Sequence, residues 1–334
     1  MIRLTPTLEF IGGRLPRRAV ETGSGGQNGG EVAMVGRIRR VGIGLVAVVA
    51  LAAGLSGCAI ARDDQARLHQ EAQADLAQWD SAVAAAGGSS AFVPVGQLTG
   101  QLGDWEESVG NNNKPALMAG LVESTGGLSD AAPPDGTVSW ADGTSHTFPL
   151  VSARQALADV KADRSNGSCS ECTPLEITGA ELITGQVETS RGPAQAPVWT
   201  FTIQGTAVRL TRPAVANPVV VPSPVWGADS SPVGIRIDSA TGTVAGRDLT
   251  VSFTGAPGPA SQGCGADYTA EAVESSNAVV VIVTEHTHWS LLPESCTAVG
   301  AERTAVATMA TPLSDRTVLE VTQGLPVAAI LADQ

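Results

Sequence analysis

The chain has 334 residues, with 20 Lys and Arg against 33 Asp and Glu and a formal net charge of −13. Such an acidic surface repels nucleic acid and anionic headgroups, which excludes nucleic-acid binding as a principal role. The length is more than one hydrophobic core usually serves and predicts two domains.

Residues 1–33 hold three Gly-Gly pairs and no hydrophobic periodicity, and read as a start codon assigned too early. From Met34 the pattern changes. Arg37, Arg39 and Arg40 precede an apolar run from Val41 to Leu55, which is the layout of a secretory signal over 34–57. The tetrapeptide Leu55-Ser56-Gly57-Cys58 resembles the bacterial lipobox. That resemblance implies that Cys58 is lipidated on its thiol and becomes the acylated N-terminus, on the extracytoplasmic face of the cell membrane. A transmembrane helix over Val41–Ile60 is the competing reading; its Ala and Gly content and the missing basic stop-transfer cluster weigh against it.

Residues 58–88 then form the anchor and a helix. Leu68, Ala72, Leu76, Trp79 and Val83 recur at spacings of four, four, three and four, one apolar face closed by Gly87-Gly88. They predict the first helix of the globular part. An α+β domain is predicted over 89–216. Its pieces are a strand at Phe92–Val95, a loop at Asn111-Asn112-Asn113, a turn at Pro133–Gly136 and a hairpin about Asp142-Gly143. A helix with Val151, Ala156, Leu157 and Val160 inward follows, ending at a loop with Asn166-Gly167. An antiparallel meander comes next: Leu175–Thr178, Leu182–Ser190, Val198–Gln204 and Ala207–Arg212. Pro213, Pro218, Pro222 and Pro224 punctuate the chain next, so 217–232 reads as a Pro-rich linker. Over 233–334 short alternating strands predict a small antiparallel β-sandwich, with a turn at Ala240-Thr241-Gly242 and a hairpin about Ser275–Asn277. The fold class is therefore α+β: an N-terminal helix and a mixed unit, then a β domain.

With Cys58 assigned to lipid, four cysteines remain. An even number outside the cytoplasmic membrane favours disulfides. Cys264 and Cys296 bracket the 266–288 hairpin and read as a staple. Cys169-Ser170-Glu171-Cys172 reads as a local disulfide; a redox dithiol is the alternative, disfavoured because Thr173-Pro174 and a β-type run follow instead of a helix N-terminus. Zinc needs further ligands at a spacing that Cys264 and Cys296 do not supply. His286 and His288, two apart on a strand, are weak candidates for a metal, with Glu294 as a third ligand; a solvated strand end is the simpler reading. Acidic pairs such as Glu106-Glu107 and Asp63-Asp64 read as solvated surface. No hydrolase, P-loop or metalloprotease motif occurs, so no catalytic residue and no cofactor is assigned. Trp105, Trp140, Trp199, Trp226 and Trp289 are assigned to packing or to a partner surface.

At Cys169-x-x-Cys172, Thr189–Pro193 with Pro197-Val198-Trp199-x-Phe201, and Cys264-Gly265 with Pro312-Leu313, the chain resembles uncharacterised lipoproteins of high-GC Gram-positive bacteria. The resemblance covers most of 150–330 and implies location and architecture alone. The expectation is a binding or scaffolding module held at the membrane through Cys58, with an envelope protein or the cell wall as partner. The alternatives are a metal-dependent protein using His286 and His288 or a redox protein using Cys169 and Cys172.

Overall fold

The computed structural model describes residues 49–88, 91–105, 113–164, 168–223 and 234–332, with backbone alone for 49–63 and for Arg164. The readings on residues 1–48, on Glu106-Glu107, on Asn111-Asn112, on Asn166-Gly167 and on Pro224–Trp226 lie outside the described residues, as does the side chain of Cys58. The chain divides at Ala53/Gly54. Of the first part only the opening of α1 (Val49–Ala85) is described; the second part is one compact unit. Among the described residues no helix is long and apolar enough to cross a membrane.

The unit is α+β. In chain order, β1 (Gly100–Leu102), α2 (Asn113–Met118), β2 (Val122–Ser124), β3 (Gly136–Trp140), β4 (Ser145–Phe148), α3 (Ala153–Arg164), β5 (Leu175–Thr189), β6 (Gly192–Ile203) and β7 (Arg209–Pro213) build the first sheet and its helices. The long β6 is its spine: β5 lies along one edge, and β7 and β3 share the other. Ala156, Leu157 and Val160 of α3 are buried with Trp199, Phe201 and Ile203 in one apolar cluster. Two short strands expected over 175–190 are one, β5, with an irregularity at Ile177/Gly179 that lets the backbone continue. The expected strand at Phe92–Val95 is a single bridge, Pro94 to Thr189, because Pro94 cannot donate to a ladder.

The second half comprises β8 (Ile237–Thr243), β9 (Asp248–Gly255), β10 (Ala266–Glu274), β11 (Ala278–Thr287), β12 (Ala301–Thr308), β13 (Thr317–Glu320), β14 (Leu325–Pro326) and β15 (Ala328–Ala332). They form two four-stranded sheets, β10-β11-β13-β14 and β12-β9-β8-β15, facing each other across a core with Val251, Phe253, Val279 and Val281. The sandwich is not wholly antiparallel, as the alternation alone suggested: β11 with β13 and β8 with β15 run parallel. The turn expected at Ala240–Gly242 lies inside β8, and the chain reverses one step later, where Gly246 N–H donates to Thr243 O at 3.0 Å.

The apolar stripe of α1 is buried as expected: all five residues pack on the second half of the chain, against Ala278, Val280, Ile282, Leu319 and Val321. In β11 alternate residues therefore face two layers, Val279, Val281 and Val283 the sandwich core and Val280 and Ile282 the helix. The helix stops at Gly87 and Gly88, both at positive φ, where Gly88 N–H donates to Val83 O at 2.8 Å in a Schellman closure. The described part of the Pro-rich stretch is packed: Val219 is buried beside α1 and donates its N–H to Phe92 O at 3.1 Å. Ala329 N–H donates to Ser190 O at 2.8 Å and ties β15 to the tip of the β5–β6 hairpin.

Candidate functional site

The β10–β11 hairpin keeps register from Glu274↔Val279 to Ala266↔Thr287, and His288 N–H donating to Gly265 O at 2.8 Å adds one more rung. Beyond that rung the chain leaves the sheet and next enters a strand at β12, in the facing sheet. Cys264 and Cys296 are disulfide-bonded, with Cα atoms 5.6 Å apart, and close this excursion at its base. On it Trp289 is 76% exposed, Leu291 83%, Leu292 75% and Val299 64%. Three large apolar side chains exposed on one disulfide-closed loop among the described residues, with Val299 just beyond it, are what a partner surface presents.

The base of the loop is rigid for reasons that can be traced residue by residue. Gly265 is required, since a Cβ there would meet Pro259 O at 1.9 Å. Cys264 takes a left-handed φ of 60° and donates its N–H to Glu294 Oε2 at 2.8 Å. Arg303 of β12 donates to Ala256 O at 2.8 Å and to Ala266 O at 3.3 Å, and its guanidinium lies over the Tyr268 ring. The Tyr268 hydroxyl accepts from Ala256 N–H at 2.7 Å and donates to Glu285 at 2.9 Å. Burial, and next the carboxylate of Glu285 beside it, push that hydroxyl above the usual phenol range.

The two histidines part company. His286 meets Thr269 Oγ1 at 3.0 Å across the ladder, while His288 turns its Nδ1 to Ala260 O at 2.7 Å and its Nε2 toward Glu294 Oε1 at 3.4 Å. Among the described residues, the group of three metal-type ligands that converges is Cys264, Glu294 and Cys296, not one holding both imidazoles. Cys169 and Cys172 are bonded to each other, Cα 5.4 Å apart, in the turn that leads into β5. His146 packs edge-on near Trp140, and His69 reaches Glu271 at 3.1 Å; neither approaches the loop. No protein-family model, curated protein or solved structure matches the chain. The functional case rests on these residues.

Leu291 and Leu292 are not singled out by the sequence; Glu294 is, as a third ligand beside His286 and His288, and it meets the Cys264 N–H and His288 but not His286. The available signal was an apolar pair without helical or strand period, lying between two cysteines. A second concavity, of about 310 Å³, lies between α3 and β7 and is lined by Phe92, Leu98, Val151, Asp159, Arg212 and Asn217. Its one cation, Arg212, is buried and already held by Thr99 at 3.1 Å and by Asp163, with Asp159 4.0 Å away. That guanidinium is neutralised within the fold, so it orders α3 against β7 and leaves the apolar loop as the better site.

Proposed function

We propose that the chain is a lipid-anchored extracytoplasmic binding module, tethered through Cys58, that presents the loop from Trp289 to Val299 to an envelope protein. The observation that carries this reading is the exposure of Trp289, Leu291 and Leu292 on a loop closed by a disulfide. Pinning the loop lowers the ordering cost of binding, and Trp289 with Leu291 and Leu292 just after it supplies the anchor that interfaces concentrate their energy in. The chain carries 33 acidic against 20 basic residues, with Glu285 before the loop and Glu294 within it, so a complementary partner offers an apolar pocket with a basic rim. Anionic headgroups are repelled by the same charges, which favours a protein over the bilayer surface.

The reach of a tether at Cys58 is set by α1. Helical backbone runs from Val49 through Cys58 to Ala85, and Leu68 is the first stripe residue buried on the sheet. Ten residues of helix at about 1.5 Å each would hold the acylated end roughly 15 Å from that contact. The test is a photo-crosslinking side chain at Leu291 in cells, followed by intact mass of the chain purified from membranes. An adduct with one discrete protein, lost in Trp289→Ala/Leu292→Ser, supports the reading. No adduct, or a chain that retains residues 34–57, overturns the docking or the anchor respectively.

A further inference from the structure

Glu294 and His288 sit in an arrangement that the docking role does not require. The Cys264 and Cys296 sulfurs and a Glu294 carboxylate oxygen lie within 4.8 Å of one another. His288 Nε2 is 3.4 Å from Glu294 Oε1. Ligands of one tetrahedral zinc, each about 2.0–2.3 Å from the ion, are themselves roughly 3–4 Å apart, so Glu294 converges with both sulfurs near the required spacing, the sulfurs have to part from their bond, and His288 adjoins the group through Glu294. Two cysteines, one histidine and one carboxylate are also a zinc-type donor set.

The surroundings point the same way. Ala260 O accepts only, so the 2.7 Å contact places a proton on His288 Nδ1. In neutral imidazole that leaves the Nε2 lone pair facing the Glu294 carboxylate, two acceptors at 3.4 Å that need a cation or a proton between them. The backbone carbonyl behind the imidazole and the Cys264 N–H on Glu294 Oε2 at 2.8 Å are the outer partners that orient metal ligands. Among the described residues Cys169 and Cys172 belong to no such group of three metal-type ligands.

We propose that Cys264, Cys296, Glu294 and His288 form a thiolate-type zinc site that takes the place of the Cys264–Cys296 bond when a dithiol reduces it. The dithiol gives two electrons and two protons, the S–S bond breaks into two thiols, and the dithiol leaves as its own disulfide. Zinc then binds both sulfurs as thiolates, and two protons pass to solvent. The loop stays closed in either state, by a covalent bond or by the ion. This inference does not depend on the docking reading.

The experiment uses the full chain in detergent with Cys169→Ser/Cys172→Ser, reduced by a phosphine without oxygen and titrated with cobalt(II). One equivalent is expected to give a thiolate-to-cobalt charge-transfer band and the strong visible bands of tetrahedral cobalt, both abolished by zinc. His288→Ala and Glu294→Gln should each weaken binding at least tenfold and alter the visible bands, with the charge-transfer band retained. Circular dichroism is followed in parallel. A folded reduced chain without a tetrahedral spectrum overturns the site, as does binding unaltered in both variants, which is the behaviour of a bare dithiol. A reduced chain that unfolds supports the site if zinc restores its fold and overturns it if zinc does not.

Discussion

Asp75 of α1 and Glu320 of β13 face each other's charge across the helix–sheet seam, and each buries one carboxylate oxygen without a hydrogen-bond partner among the described residues. Glu320 is almost wholly enclosed and spends its other oxygen on Thr322, which donates both N–H and hydroxyl. Gly324 makes room for the pair, since a Cβ there would sit 2.5 Å from Asp75 Oδ1. Burial first, then the charges of Glu71 and Glu320, push Asp75 from the ordinary 3.8 to about 7. The folded chain thus binds a proton that the unfolded chain has released. Stability from this group is full below 3.8 and is lost as pH rises toward 7. Asp75→Asn should therefore raise the thermal midpoint at pH 8 and change it little at pH 4. Equal shifts at both pH values would show that the carboxyl stays ionised in the fold.

The same seam contains Trp79, fully buried with Leu76 and Val83 against Ile282 and Leu319. Trp79→Ala leaves a cavity that neighbouring side chains cannot fill and should cost about 3–5 kcal/mol. Denaturant midpoints measure it, and limited proteolysis should then cut within α1 before the sandwich. A loss under about 1 kcal/mol would mean the helix contributes little to the fold.

Removing the staple should be costly, and removing the short disulfide less so. Chain-entropy accounting for the 32-residue separation of Cys264 and Cys296 gives about 3–4 kcal/mol, against about 2 kcal/mol for the three-residue separation of Cys169 and Cys172. Unfolding of the two double serine variants in urea measures this order. Trp289→Ala, by contrast, should leave stability within about 0.5 kcal/mol, because a side chain 76% exposed contributes little to the core. Loss of the Leu291 crosslink with unchanged stability would separate a docking residue from a packing one.

The stripe Leu68–Val83 was legible because a helical period survives any packing partner, whereas the partner itself lies some 200 residues away in sequence. The clue was the run Ala278–Val283, six consecutive buried residues. A strand that is apolar at every position is covered on both faces, so a layer outside the sandwich was required, and α1 is that layer. The hairpin about Ser275–Asn277 was legible from its turn; the parallel pairing of β11 with β13 was not, since alternation carries no direction. The short helix α2 went unread because six residues with Pro115 in the first turn show no period. At the candidate site the cysteine pairing could be read from spacing. The convergence of Glu294 and His288 depends on the path of an irregular loop, which no period encodes.

Glu274 and Arg316 join the turn end of β10 to the segment before β13, well away from the loop. Arg316 Nη1 donates to Glu274 Oε2 at 2.7 Å, and Ala310 N–H donates to Glu274 Oε1 at 2.6 Å. Burial raises this carboxyl, but the Ala310 N–H and Arg316 outweigh it and hold the group below its ordinary 4.5. Its stabilisation is therefore present above 4.5 and is lost as pH falls below that value. Glu274→Ala leaves Arg316 facing the carbonyls of Thr311 and Pro312 without a counter-charge, and should cost about 2–3 kcal/mol, discounted for partial exposure. Arg67→Ala removes an ion pair with Asp64 whose side chains are both more than half exposed, and should cost under about 0.5 kcal/mol. Urea midpoints at pH 7 and pH 3.5 test both. The gap between Glu274→Ala and the unmodified chain should narrow at the lower pH, and a gap independent of pH would mean that the pair holds by packing rather than by charge.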